Sequence, residues 1–371
     1  MTKIIAFARE RYPGEARCMV VPSEVPAYRA AGFDVWVETK TGAELGIADA
    51  EFADNGASVV SRDDVWRAAY VVKYKTPQPE DFRYFRSGLT LASSFHAEGE
   101  VEMVRLMCES GMTAYSLEYC VTPDHVVPLP RSDMEITGKL AFIQGAYLLQ
   151  AHFGGSGVLL AHVPGADDPR VLVIGHGKVG GAAVRAAAAM GCAVTVLGRD
   201  RTRLREFAAT VGPTVTCRLN SADVLEEELR KADLVMGAIL IATEDTPPMI
   251  EKRHLAMMKK GSLLMDVTCG YGDGVGWMPT FHRTSSFDDP VYEVDGVLHY
   301  KMDRIPSRVP RTASQAKSRN VTPYLIELGD AIYAERENAF FTTGKIVEGG
   351  RITHPYLKES FAGAPGMASL I

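Results

Sequence analysis

The sequence predicts an α/β protein of two domains, each built on a parallel sheet. Three observations predict it. Short apolar runs alternate with amphipathic helical stretches. The length of 371 residues exceeds one ordinary domain. A composition of 46% hydrophobic and 23% charged residues supplies two buried cores.

The elements follow in order. Residues 3–8, KIIAFA, read as a buried strand, followed by a helix near 22–31 and a strand over 34–38. Asp63 is the expected N-cap of a helix over 64–68. The run 69–74 is a strand leading into Lys73, Tyr74 and Lys75, and Pro77 and Pro79 stop it. LTLASSF over 89–95 is a strand ending at His96, followed by a helix over 98–109 and a strand over 113–119. Such alternation implies crossover helices between parallel strands. Residues 133–152 form a long amphipathic helix, and a glycine-rich turn follows at 154–157. A second series has strands over 170–174, 193–197, 233–238 and 262–266, with helices over 181–190 and 201–210. The helical stretch 312–335 returns the chain to the first domain. The expected division is a discontinuous substrate domain, residues 1–132 and 305–371, and an inserted dinucleotide domain, residues 133–304. Two long helices join them.

Composition also excludes. The formal charge is −6 and no basic run tracks phosphates, which argues against nucleic acid. No stretch reaches the apolar length of a membrane span, and the N-terminal segment lacks the apolar core of a signal peptide. The six cysteines include no CxxC pair and the nine histidines no HExxH, so neither a metal site nor a disulfide framework is expected. The expected setting is cytoplasmic.

Residues 171–180 read VLVIGHGKVG. Gly175, Gly177 and Gly180, with Lys178 and Val179 between the last two, form GxGxxG between a strand and a helix. That context marks a Rossmann fingerprint. The first glycine permits the tight turn, the second lets backbone approach a pyrophosphate, and the third allows close helix–strand packing. The helix N-terminus faces the anion. About 20 residues on, NAD-binding units carry an acidic residue for the ribose 2′-hydroxyl. Here Val196-Leu197 is followed by Gly198, Arg199, Asp200 and Arg201. Loss of the carboxylate, with Arg199 or Arg201 to pair a 2′-phosphate, favours NADP(H) over NAD(H). The alternative is that Asp200 reaches the ribose.

In the first domain Arg11–Arg17, Lys73–Lys75, His96 and Glu118 follow strand ends. Carboxyl ends of parallel strands line the ligand crevice. An arginine, a lysine, an imidazole and a carboxylate are therefore expected to converge.

The stretches YPGEARCMVVPSEV, VVKYKTP, SSFHAEG, MEITGKLA, VLVIGHGKVG, ADLVMGAILI and VYEVDGVLHY carry a resemblance over nearly the whole chain. The chain resembles the alanine dehydrogenase and transhydrogenase N-terminal superfamily, which also holds lysine-forming saccharopine dehydrogenase and N5-(carboxyethyl)ornithine synthase. The resemblance implies two Rossmann-like domains with the cofactor in the cleft between them. It assigns Arg17 to the substrate carboxylate, Lys75 to substrate binding and proton transfer, and His96 to general acid/base work. It sets Ala238, Ile239, Leu240 and Ile241 beside the nicotinamide. Two departures stand out. Alanine dehydrogenases carry an Asp where this chain has Gly270, unless Asp273 in the loop GYGDGVGW replaces it. That loop is either a substrate contact or a plain glycine-rich turn. Met302-Asp303-Arg304-Ile305-Pro306-Ser307 resembles the DHxPS of the saccharopine and carboxyethylornithine enzymes.

The expected reaction is therefore reductive condensation of a 2-oxo acid with an amino-acid amine, an imine reduction of the opine type. Arg17 holds the carboxylate, Lys75 and His96 move protons, Glu118 tunes them, and Asp303 binds the second substrate's ammonium. One alternative is an alanine dehydrogenase, with ammonia as the amine. Another is a non-catalytic dinucleotide-binding subunit. The superfamily forms dimers, hexamers and monomers, and a homo-oligomer, first a dimer, is expected.

Overall fold

The computed structural model describes residues 2–239, 248–267, 278–286 and 288–371. Leu240 and Ile241, Gly270, Asp273 and the rest of the GYGDGVGW loop lie outside the described residues. The chain divides into two compact units, Met1–Asp133 with Ser307–Ile371, and Met134–Pro306.

The first unit opens with β1 (Lys3–Phe7), α1 (Val25–Ala30), β2 (Phe33–Glu38), α2 (Asp49–Asp54) and β3 (Ser58–Val60). It continues through α3 (Arg62–Arg67), β4 (Tyr70–Lys75), β5 (Thr90–Ser94), α4 (Val101–Ser110) and β6 (Thr113–Ser116). Helix α5 (Arg131–Leu148) contains the division.

The second unit continues with β7 (Arg170–Ile174), α6 (Lys178–Ala189), β8 (Ala193–Gly198), α7 (Arg201–Ala208), β9 (Val215–Leu219) and α8 (Ala222–Leu229). It ends with β10 (Leu234–Gly237), α9 (Lys252–Leu255), β11 (Leu263–Asp266), β12 (Tyr292–Val294) and β13 (Val297–Tyr300). The chain then completes the first unit with α10 (Pro310–Tyr333), α11 (Ala339–Thr342), β14 (Lys345–Glu348), β15 (Arg351–Ile352) and α12 (Pro355–Ser360).

The first sheet runs β15-β14-β6-β5-β4-β1-β2-β3 and the second β12-β13-β11-β10-β7-β8-β9. Both contain the doubly wound order. In each, the first strand pairs in parallel on both sides, β1 with β2 and β4, and β7 with β8 and β10. Chain direction of winding reverses there, which opens a crevice at the carboxyl ends of the two strands.

Period-two alternation explains why the first sheet is covered on both faces. Ile5, Phe7, Tyr70 and Val72 join one core with Val321, Leu325 and Leu328 of α10. Ala6 and Val71 join the opposite core with Met103, Val104 and Met107 of α4 and Leu357 of α12.

The structure departs from the sequence reading in three places. The sheets are parallel in their centres but mixed at their edges, because β12–β13 and β14–β15 are antiparallel hairpins and β14 pairs antiparallel with β6. Asp295-Gly296 and Gly349-Gly350 turn them with positive φ at every position, the two-residue geometry that suits hairpin twist. The N-cap of α3 is Ser61, not Asp63: Asp64 N–H donates to Ser61 Oγ at 3.2 Å, while Asp63 accepts from the Tyr84 hydroxyl. Strand β6 ends at Ser116, so Glu118 lies in the following turn.

In the second unit Gly138 of α5 is a packing site. A Cβ built there would lie 2.1 Å from the Val179 carbonyl oxygen and 2.8 Å from the Ala182 Cβ. Backbone cannot give way as a flexible side chain can. Gly138→Val is expected to destabilise by about 1–3 kcal/mol, read as a lower urea midpoint. Gly212→Ala, whose methyl meets nothing within 4 Å, should leave the midpoint unchanged.

Candidate functional site

The crevice of the first unit is built by the segment after β1 and the end of β4. Glu10 ties them together. Its Oε1 accepts from the N–H groups of Arg11 (2.9 Å) and Tyr12 (3.0 Å) and from Lys73 Nζ (3.3 Å). Its Oε2 accepts from Lys75 N–H at 2.8 Å. Lys73 is buried, and Asp81 is its second carboxylate, at 3.5 Å. A buried ammonium requires such pairing.

The β4–β5 ladder shifts register between Val72 and Lys75. Ser93 Oγ donates to the Lys75 carbonyl at 2.8 Å and Thr76 Oγ1 to the Phe95 carbonyl at 2.6 Å. Lys75 Nζ thereby lies 2.8 Å from His96 Nε2. An ammonium has only protons to donate, so a charged Lys75 makes His96 Nε2 the acceptor of this bond.

His96 adopts φ 48° and ψ 49°, a left-handed conformation that costs a non-glycine residue about 1–2 kcal/mol. Its N–H donates to Glu118 Oε1 at 2.7 Å. Glu118 Oε2 and the Ser116 hydroxyl are both buried, and the Ser116 side chain lies close enough to favour the charged carboxylate. Burial pushes the Glu118 carboxyl above the usual carboxylate range, against the His96 N–H and the charge of Lys75.

Arg17 sits in a separate buried cluster that sequence reasoning did not foresee. Its Nε and Nη2 fork Glu15 at 2.7 and 2.6 Å, and its Nη1 donates to the Tyr74 hydroxyl and to Asp133, each at 3.2 Å. The guanidinium lies over the Tyr74 ring, 4.3 Å from its centroid. Lys317 Nζ reaches Asp133 Oδ2 at 3.0 Å and the Leu129 carbonyl at 3.1 Å. Burial opposes the charge on Asp133, but Lys317 and Arg17 outweigh it and hold its carboxyl below the usual range. Tyr74 links this cluster to the neighbouring Lys75.

In the second unit Gly175 turns at φ 101°, and a Cβ there would lie 2.5 Å from the Ala238 carbonyl oxygen. A Cβ on Gly180 would lie 2.0 Å from the Gly175 carbonyl oxygen. Nothing lies within 4 Å of the corresponding point at Gly177, which caps α6 without a side chain. Lys178 and Val179 follow as the first helical residues. These residues fit a pyrophosphate: open backbone, helical N–H groups and no side chain in the way. Ala238 and Ile239 follow β10 beside the fingerprint turn, since Gly175 has both as its nearest neighbours. Arg199 and Arg201 are exposed. Asp200 caps α7, accepting from Arg203 N–H at 2.9 Å. Asp303, expected to bind an ammonium, is paired to its neighbour Arg304, whose Nε donates at 3.0 Å.

The structure thus brings Lys75, His96 and Glu118 into one constellation and seats Arg17 among buried charges beside it. Lys178, Val179 and the three fingerprint glycines form one turn. Sequence reasoning singles out the segments holding Glu15 and Tyr74 without giving either residue a role, and it does not single out Glu10, Asp133 or Lys317 at all. Among the described residues no group of three His, Cys, Asp or Glu side chains is placed to hold a metal, and no helix is long and apolar enough to cross a membrane.

Known proteins match along almost the whole chain. The family model described as alanine dehydrogenase/PNT, N-terminal domain, matches residues 6–132, and the one described as alanine dehydrogenase/PNT, C-terminal domain, matches residues 141–355. A Bacillus subtilis protein named alanine dehydrogenase is 31% identical over 354 residues, 95% of this chain and 93% of its own. A Halomonas elongata protein of the same name is 32% identical over 361 residues, 96% of each. A solved structure named L-alanine dehydrogenase superposes with a TM-score of 0.89 at 30% identity, covering 97% of this chain and 99% of its own. A Sinorhizobium meliloti transhydrogenase, 23% identical with a TM-score of 0.79 over 95% of this chain and 99% of its own, shares the fold.

The Glu118 geometry makes a prediction whose sign follows from its raised carboxyl. An acid raised in the folded protein penalises the fold little in acid, and the penalty grows as pH rises through the unfolded value, about 4.3, to the folded one. Glu118→Gln removes that penalty. It should raise the thermal midpoint at neutral pH and raise it less near pH ~4. An equal gain at both pH values would mean that the carboxylate charge is not the cause.

Proposed function

The chain belongs to the alanine dehydrogenase/PNT family, and from that premise we propose that it is a nicotinamide-dependent amino-acid dehydrogenase interconverting a 2-oxo acid plus ammonia with the amino acid. The observation that carries this reading is the 2.8 Å approach of Lys75 Nζ to His96 Nε2 at the ends of neighbouring parallel strands. Two groups that exchange a proton at that distance suit a reaction whose difficulty is proton traffic around one carbon.

Sequence reasoning preferred an amino acid as the amine. The relatives named alanine dehydrogenase support ammonia instead, and Asp303, already paired with Arg304, adds nothing to the opine-type reading.

In the aminating direction ammonia's nitrogen bonds to the carbonyl carbon while the carbonyl oxygen takes a proton from the Lys75 ammonium. His96 takes a proton from the new nitrogen and returns it to the hydroxyl, which leaves as water. A nicotinamide dinucleotide, held at the turn of Gly175, Gly177 and Gly180, would supply the hydride that the iminium carbon needs. A proton taken up from water by the nitrogen completes the amino acid, and a second proton from water restores the Lys75 ammonium. Glu118 acts as a positioning residue: it holds the His96 backbone in its left-handed conformation. Arg17 takes the substrate carboxylate through the Nη1 donors now held by Tyr74 and Asp133, while Glu15 keeps the other edge of the guanidinium fixed.

For the cofactor we favour NADP(H). Gly198 leaves no carboxylate at the end of β8, Asp200 is engaged in capping α7, and Arg199 is exposed beside them.

The test is an absorbance assay of nicotinamide oxidation with pyruvate, glyoxylate or 2-oxoglutarate, each with ammonia, ornithine or lysine. Turnover with ammonia is expected. Turnover with a diamino acid and none with ammonia would overturn the reading in favour of the opine type. His96→Asn should lower kcat by about 10²–10⁴-fold while the dinucleotide dissociation constant stays unchanged. Equal loss of both would remove His96 from its assigned role.

A further inference from the structure

The residue between the first two fingerprint glycines is His176, and its ring lies against the end of β8. A Cβ built on Gly198 would stand 2.8 Å from both Nδ1 and Cε1 of His176, and 2.9 Å from Leu204 Cδ1. The imidazole therefore occupies the space that a side chain at position 198 would need. The Phe207 ring of α7 packs on it with centroids 5.6 Å apart. Gly198 and His176 are one substitution in space: the strand-end side chain is gone and an imidazole from the neighbouring turn stands in its place.

We infer that His176 reads the 2′ position of the adenosine ribose, its imidazolium pairing with a 2′-phosphate alongside Arg199. This rests on the NADP(H) reading above and names a residue for it. The end of β8, about 20 residues beyond the fingerprint, is where an NAD-binding unit aims a carboxylate at the ribose hydroxyls. A carboxylate there accepts a hydrogen bond from the 2′-hydroxyl and repels a phosphate. An imidazole donates instead, and its positive form attracts the phosphate.

The surroundings fix the direction of the pH effect. The charged groups facing the imidazole are Asp200, at the N-cap of α7, and Arg203, on its first turn. Leu204 and Phe207 cover it from the same helix, and Arg199 and Arg201 flank Asp200 in sequence. Burial lowers the His176 imidazole below its usual value, with Arg203 in the same sense and Asp200 opposing. The free protein at neutral pH thus holds His176 largely neutral, and a phosphate dianion beside it draws in a proton. Affinity for a 2′-phosphate should rise as pH falls, while affinity for a ligand without that phosphate should not.

Calorimetric titration of the full chain with 2′,5′-ADP and with 5′-AMP, between about pH 6 and pH 8, tests this. Wild type is expected to prefer 2′,5′-ADP by about tenfold or more at the acid end, with the preference narrowing as pH rises and proton uptake accompanying binding. His176→Gln should reduce the preference and remove the extra proton uptake, with a far smaller effect on 5′-AMP binding. The ligand's own phosphate titrates near pH ~6 in both proteins, so the difference between them isolates the imidazole. Gly198→Asp, whose Cβ excludes the ring, should reverse the preference in favour of 5′-AMP. If His176→Gln keeps the full preference and proton uptake, this inference fails and the NADP(H) reading stands. If wild type binds both ligands equally at every pH, both fail.

Discussion

Two carboxylates and two cations, all buried except the partly exposed Asp133, set the frame of the first unit. Glu15 and Arg17 come from the segment after β1, Asp133 from the start of α5, and Lys317 from α10. Stranding one member of such a set would leave its partner buried and uncompensated, which costs several kcal/mol. The cluster therefore ties the segment after β1 to the returning helix α10 through Asp133. Tyr74 completes it from β4, donating to Asp133 at 2.5 Å beneath the Arg17 guanidinium. Since Tyr74 precedes Lys75, the same interactions that close the unit also fix the strand end from which Lys75 projects.

Glu10 does related work with backbone. Its carboxylate collects two consecutive main-chain N–H groups, a buried ammonium and the N–H of Lys75. Lys75 is thus held from both sides, by Glu10 on its backbone and by His96 at its ammonium. In the mechanism proposed above, holding Lys75 in place before substrate arrives removes an entropy cost from the chemical step. The left-handed His96 fits this picture. Its conformation is unfavourable alone, and the bond from its N–H to Glu118 offsets the cost.

The parts of this architecture that were legible in the sequence are those written locally. The fingerprint between β7 and α6 was readable because three glycines at fixed spacing follow a strand. Lys75, His96 and Glu118 were readable because each follows an apolar run. Two hairpins were also written locally, in Asp295-Gly296 and Gly349-Gly350, and the missed antiparallel edges belong to an unread turn signal. The α3 cap was misassigned because Ser61 and Asp63 are both capable cap residues, and only geometry decides between them. Glu15, Asp133 and Lys317 were not legible. Asp133 lies 116 residues from Arg17 and 184 from Lys317 in the chain. A charged residue reads as solvated until its partners are known, and no local pattern announces partners at that separation.

The two units share the strand order around the winding reversal and furnish its crevice in opposite ways. In the second unit the crevice is stripped of side chains. Gly175 and Gly180 admit close backbone contact, and Gly177 faces open space. A pyrophosphate is bulky and fully charged, and backbone N–H groups bind it without the reorganisation that flexible side chains require. In the first unit the same topological position is crowded with ionisable side chains, from Glu10 and Arg17 to Lys75 and His96. Proton movement needs groups whose charge can change, and backbone amides have none. In the proposed function a shared strand order would thus serve as an anion cradle where glycine is retained and as a proton-transfer site where it is not. His176 is the exception within the cradle. It is an ionisable side chain at the edge of a glycine turn, and it is tolerated because Gly198 has vacated the space beside it.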